Sequence, residues 1–280
     1  MGDIFNTLLV YPIINILVAI YQGLSVLHVP FALGFSIIIL TIIIRLILYP
    51  LTGAQLKSSK KMQDIAPHLS KLKEKHKGDA KRLQAETMRL YKEHGVNPLA
   101  GCLPVFIQLP IIWALYTVLQ KVVSFNPNVV VAEVNKIVYQ IDFLKLSKPW
   151  DTYFFGLPLG QNPSSLISTI GPIILLVPIL TGVFQFIQSK MLIAKKPQSA
   201  VAVNDKAKKG GGEDFAAAFQ TQSLYIFPVM IGFFSYTFPI GLSLYWNTFT
   251  LFGILQQYKI QGWGGLSEWV EKVKNYGKNN

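Results

Sequence analysis

Twenty residues from Phe31 to Pro50 (FALGFSIIILTIIIRLILYP) carry a single charge, Arg45, in a run that is otherwise almost wholly apolar. As a helix this run is about 30 Å long, the thickness of a bilayer's hydrocarbon core. A cation at that depth costs roughly 2.5–3.5 kcal/mol, so it is expected to face a polar cavity, a partner or an interface. Two readings of Arg45 stand at this point. It lies about 7.5 Å along a helix from Pro50, close enough for a snorkelling side chain to anchor the helix among headgroups. Alternatively, it is a functional group inside the membrane.

Hydrophobic residues make up 51% of the chain and charged residues 14%, which excludes an ordinary soluble enzyme. Four further apolar runs follow, at about Leu99–Val123, Leu166–Ser189, Leu224–Phe238 and Gly241–Tyr258. The last two are so closely spaced that they must be antiparallel neighbours. The net charge of +12 lies in the segments between runs, as expected of topology signals, and no specific DNA binding is expected. Residues 51–98 carry eleven Lys or Arg, residues 190–222 six and the tail from Lys259 four, against three in residues 124–165 and none in residues 1–30. The positive-inside rule then predicts five spans with the N-terminus outside and the C-terminus in the cytoplasm.

Residues Ile4 to Val29 are apolar but bear Thr7, Tyr11, Asn15, Gln22 and Ser25 along one helical face. That stripe predicts a helix lying in the outer interface. Residues 51–98 read as two amphipathic arms of a cytoplasmic hairpin. The turn is at Gly78, a seam of Leu69, Leu72, Leu83, Leu90 and Tyr91 joins the arms, and Gly95 caps the second. Pro67 is expected to bend or interrupt the first arm. The loop at 190–222 reads as a flexible linker and the stretch at 124–165 as an external aromatic cap.

No Walker, HExxH or GxSxG signature is present, and four scattered histidines with one cysteine, Cys102, make no metal set. Neither a cofactor nor enzymatic chemistry is expected, and Cys102 offers no N-terminal lipid anchor. What rises above background is polar decoration inside the spans. Thr181, Gln185 and Gln188 lie at i, i+4 and i+7, Gln108 is in the second span, and Ser243, Asn247 and Thr250 are in the fifth. In lipid such groups face protein or water. Each alone reads as interhelical glue; together with Arg45 they suggest a wet, positively biased groove.

Three segments carry a resemblance: RLILYPLT (Arg45–Thr52), LYKEHGVNPLAGCLPVFIQLPIIWALY (Leu90–Tyr116) and FPVMIGFFSYTFPIGLSLYWNTFTLFGILQQY (Phe227–Tyr258). In these the chain resembles the YidC family of membrane protein insertases, bacterial relatives of the mitochondrial and chloroplast insertases. The resemblance implies an all-α polytopic protein of the bacterial plasma membrane with five transmembrane helices, an N-terminal interfacial helix and a cytoplasmic hairpin. Its segments would be 1–29, 30–50, 51–98, a transmembrane core at 99–258 and a basic tail at 259–280. It further implies that nascent membrane proteins enter the bilayer through a groove containing Arg45, with Gln108, Thr181, Gln185, Gln188, Ser243 and Asn247 as lining candidates. The hairpin would recruit substrate or ribosome, and action alone or beside the Sec translocon stays open. A secondary transporter or anion channel built around Arg45 is the alternative, and an assembly chaperone that does not need the arginine is a third class.

Overall fold

The computed structural model describes residues 2–76, 78–96, 103–122, 127–192 and 211–276. The expected span start at 99–102 and the heart of the linker at 193–210 lie outside these. The described chain is mostly helical; its one sheet is a hairpin of β1 (Tyr153–Phe154) and β2 (Leu157–Pro158). The helices divide into two compact units.

The first unit comprises Met1–Leu48, Pro104–Phe184 and Val229–Phe252. Helix α1 joins Gly2–Phe5, a π-helical stretch Asn6–Val10 and Tyr11–Val26. Pro12 has no N–H to offer the preceding turn, and the wider π stretch directly before it absorbs the mismatch. The polar stripe on α1 meets protein partners. Asn15 is buried, donates to the Tyr11 carbonyl at 2.7 Å and accepts from the Tyr139 amide at 2.7 Å, while Gln22 donates to the Lys145 carbonyl at 3.0 Å. Asn15 and Gln22 of the stripe thus face protein, while Thr7 at its start is exposed. Asn6–Val26 is also long and apolar enough to cross a membrane.

Helix α2 (Ala32–Ile47) packs against α1, burying Leu33, Ile37 and Leu40 in a core with Ile14, Leu17 and Val18. Its buried hydroxyls are satisfied within the helix, Ser36 on the Ala32 carbonyl and Thr41 on the Ile37 carbonyl, each at 2.6 Å. At Gly34 the ring of Phe154 fills the place of a Cβ. Phe31 and Phe35 surround Phe154 and Phe155 at centroid distances of 4.8–6.5 Å, so DTYFFGLPLG forms the β-hairpin of an aromatic cluster.

Helices α3 (Tyr49–Lys75) and α4 (Ala80–Glu93) belong to the second unit, which comprises Tyr49–Leu103, Gln185–Pro228 and Gly253–Asn280. The expected boundary at Pro50 moves: α2 stops at Ile47, and Pro50 falls in the first turn of α3, where its missing N–H removes no helical bond. Pro67 does not interrupt its arm, because α3 continues through it to Lys75. The turn uses Gly78 at φ +101°, and the Asp79 carboxylate caps α4 by accepting from the Arg82 amide at 3.0 Å. Gly95 closes α4 in a Schellman motif, with its own N–H on the Lys92 carbonyl and that of Val96 on the Tyr91 carbonyl. The arms bury Ile65, Thr87 and Val96 at the seam, while Leu69, Leu72, Leu83, Leu90 and Tyr91 are half-buried beside them. On the exposed face Glu93 pairs with Arg89 at 2.8 Å and raises the guanidinium pKa.

Of the remaining helices, α5 (Leu103–Val122), α6 (Pro127–Ile137) and α7 (Pro163–Ile170) lie within the first unit, whereas α8 (Leu176–Met191), α9 (Gly211–Thr237) and α10 (Ile240–Gln261) contribute to both. A short helix α11 (Ser267–Tyr276) ends the described chain in the second unit. Helices α9 and α10 are joined by Phe238 and Pro239 alone. The free amides at the start of α10 are taken up by the chain beyond β2, Ile240 donating to the Gln161 carbonyl at 2.9 Å and Gly241 to that of Leu159 at 2.8 Å. Among the described residues, Asn6–Val26 and Pro172–Met191 have the length and apolarity of a span, and Ala32–Ile47 with Tyr49–Leu72 makes a third if counted as one broken span.

Candidate functional site

The apolar run with one charge becomes α2, and in the first unit its last turn buries Arg45 to 4% exposure. No carboxylate lies within ion-pair reach of it among the described residues. Instead the guanidinium sits 3.3 Å from the centroid of the Phe249 ring, and its Nε and Nη2 donate to the Phe249 carbonyl at 2.9 and 2.5 Å. A carbonyl in mid-helix has a second lone pair beyond its own helical bond, so α10 can accept these protons without unwinding. The ring and the carbonyl stabilise a cation without neutralising it, and Nη1 has no acceptor among the described residues. The bare anchoring reading of Arg45 is therefore incomplete: the side chain is held against a neighbouring helix in the protein interior.

One turn before Phe249 on the same face of α10 is Tyr245, 1% exposed, with its ring 5.7 Å from that of Phe249. Gln108 of α5 donates to the Tyr245 hydroxyl at 2.8 Å. Arg45 and Gln108, from α2 and α5, thus meet through two aromatic residues of α10. Asn247 is half-buried on α10, and its Oδ1 is buried with no hydrogen-bond partner among the described residues.

The other expected groove residues go elsewhere. Thr181 and Ser243, 1% and 2% exposed, join a chain of hydroxyls across three helices: Thr181 to Ser235 at 3.1 Å and Ser235 to Ser243 at 2.8 Å. Beside this chain Gly232 of α9 lies close to Gly182 and the Pro178 carbonyl of α8. Small residues and shared hydroxyls at a close helix crossing are packing devices. Gln185 and Gln188 are half-buried in the second unit.

In the second unit the N-terminal turns of α3 are clasped by α10. Gln256 donates to the Tyr49 carbonyl at 3.1 Å and exchanges hydrogen bonds with Thr52, and Gln261 donates to the Leu56 carbonyl. Neither this clasp nor Tyr245 and Phe249 was singled out from sequence. The signal available was amide-rich LQQY at the end of an apolar run.

The fold and the buried cation define a helical membrane protein with a polar centre inside apolar helices. The family model described as 60Kd inner membrane protein matches residues 23–264. A protein of Fusobacterium nucleatum named membrane protein insertase YidC is 34% identical over 81% of this chain and 85% of its own length. MisCA, a membrane protein insertase of Bacillus subtilis, is 34% identical over 82% of this chain and 70% of its own. The chloroplast inner membrane protein ALBINO3 of Arabidopsis thaliana is 33% identical over 92% of this chain, which spans 53% of that relative. A solved active YidC insertase aligns with 26% identity and a TM-score of 0.48 over 81% of this chain and 41% of its own. The chain belongs to the YidC family of membrane protein insertases.

Proposed function

We propose that this protein takes nascent apolar segments from the cytoplasm into the bilayer, with Arg45 supplying a fixed positive charge to the polar parts of the incoming chain. The observation that carries this reading is a buried guanidinium held by a ring and a main-chain carbonyl, with no carboxylate beside it among the described residues. A structural arginine at this depth is most cheaply accommodated by a carboxylate partner. One kept charged and unpaired attracts an acidic group more strongly than water would allow. Gln108, bonded to Tyr245 beside Phe249, is the uncharged group that goes with it, and binding and desolvation replace covalent chemistry.

The proposed topology is five spans, N-terminus outside and C-terminus in the cytoplasm of a bacterial plasma membrane, with α3 and α4 as a cytoplasmic recruiting hairpin. The Lys-rich hairpin and tail suit a ribosome surface, and the Sec translocon is a further proposed partner. Reconstitution tests the function directly. Proteoliposomes holding only this protein, given a ribosome-bound single-span reporter, should protect the reporter's external tail from added protease, and protein-free vesicles should not. Equal protection in both, together with an anion flux lost in Arg45→Ala, would replace insertase with channel.

A further inference from the structure

Helix α11 presents an apolar face that the described chain leaves largely exposed. Trp269, Val273 and Tyr276 recur at i, i+4 and i+7, are 50%, 72% and 80% exposed, and so lie side by side on one face. Successive residues turn by about 100°, which puts Lys272 on one flank of that face, Val270 on the other and Glu271 on the far side. A lysine at the edge of an apolar face with an acid opposite suits a surface that is oily at its centre and anionic at its rim. A folded protein partner does not generally combine these two properties in that order across a single helix, whereas a membrane surface does.

The level at which α11 is held points the same way. Gly264, just before α11, lies against the backbone carbonyl of Met191, the last residue of the span-length helix Pro172–Met191. The Trp269 ring lies 6.2 Å from that of Phe186 and 5.6 Å from the Lys190 ammonium. Phe186 is about 7.5 Å along the helix from Met191, within the depth of roughly 5–10 Å to which interfacial helices sink their apolar faces. Tyr258 and Trp263, 4.7 Å apart at the end of α10, and Tyr225, 6.1 Å from Phe186, add the aromatic residues common at that level.

We propose that α11 lies in the membrane interface at the end of α8, with Trp269, Val273 and Tyr276 sunk among the lipid acyl chains and Lys272 reaching the headgroup phosphates. The occupant of the face is the bilayer itself, so the chain after α10 is tethered to the membrane surface and is not free in solution. This rests on reading α8 as a membrane-crossing helix.

The test uses the full chain in a Cys102→Ala background, reconstituted in phosphatidylcholine and phosphatidylglycerol vesicles, with the fluorophore NBD on one introduced cysteine at a time. Val273→Cys and Tyr276→Cys probe the apolar face, Glu271→Cys the polar face and Val183→Cys the exposed side of α8. The expected result is blue-shifted emission at 273 and 276, lost on adding doxyl-labelled lipid, with unshifted and unquenched emission at 271. If 183 is quenched while 273 and 276 behave like 271, the interfacial helix is refuted and the span stands. If 183 is also unquenched, the span reading fails and the inference falls with it. Protection of 273 and 276 only after ribosomes are added would assign the face to the ribosome and overturn the proposal.

Discussion

Replacing Arg45 separates its charge from its packing, and the two have different signatures. Take an acidic side chain on the incoming segment 10 Å from the guanidinium. At an effective dielectric of 20 the pair is worth about 1.7 kcal/mol, which is about a 15-fold effect on a rate or an occupancy. In bulk water the same separation gives about 0.4 kcal/mol, roughly a twofold effect, so the magnitude depends on burial of Arg45, which is 4% exposed. Arg45→Ala also removes the contact with the Phe249 ring and two hydrogen bonds to the Phe249 carbonyl, a packing loss of about 2 kcal/mol felt by every substrate alike. The assay is insertion into proteoliposomes of paired reporters differing only in the external tail, acidic against neutral. Arg45→Ala should slow the acidic reporter about 15-fold more than the neutral one, and Arg45→Lys, which keeps the charge but loses the planar fork, should restore most of that difference. If both reporters slow by the same factor in Arg45→Ala, the guanidinium acts by holding α2 against α10, and the electrostatic argument is refuted.

Gly264→Ala places a methyl group on the Met191 carbonyl, at a residue whose φ of +50° already disfavours a side chain. A loss of about 2 kcal/mol or more is expected, read as a lower apparent Tm in detergent. Asn15→Ala removes a buried side chain and strips the Tyr139 amide of its acceptor, and should cost about 1–3 kcal/mol by the same measurement; an unchanged Tm would mean that water replaces the lost bond. Pro67→Ala returns an N–H to the interior of an unbroken helix and should stabilise the hairpin by up to about 3 kcal/mol, visible as slower amide exchange across α3. Faster exchange would mean that the proline holds a geometry the alanine helix does not adopt.

Periodicity and charge made the helical architecture legible, and a cation in an apolar run marked Arg45, but neither could name a partner. The Phe249 carbonyl that receives Arg45 is 204 residues away and belongs to the backbone, and a main-chain acceptor leaves no trace in residue type. The stripe on α1 was visible as a stripe, yet whether it meets water or the Tyr139 amide 124 residues on is decided by packing. Pro67 does not interrupt the first arm, because the helix runs on to Lys75.

The intramembrane polar residues show the same limit most sharply. In an apolar helix a hydroxyl or amide announces only that it has a partner, and protein, water and substrate look alike from the sequence. Unspent capacity separates them. Thr181 and Ser243 share hydrogen bonds with Ser235, which makes them part of the helix crossing, as the glue reading of each alone expects. Arg45 keeps a full charge and Nη1 without an acceptor, and Asn247 keeps a buried Oδ1 with no partner, among the described residues. Gln108 has spent an amide proton on Tyr245, which fixes the ring row on which Arg45 rests. Around Arg45 the described residues gather Phe249, Tyr245 and Gln108, whereas Asn247, two residues from each ring on α10, falls on the opposite face of that helix. A substrate entering beside Arg45 would meet a cation whose bonding is incomplete, and completing it is what would draw a polar segment in.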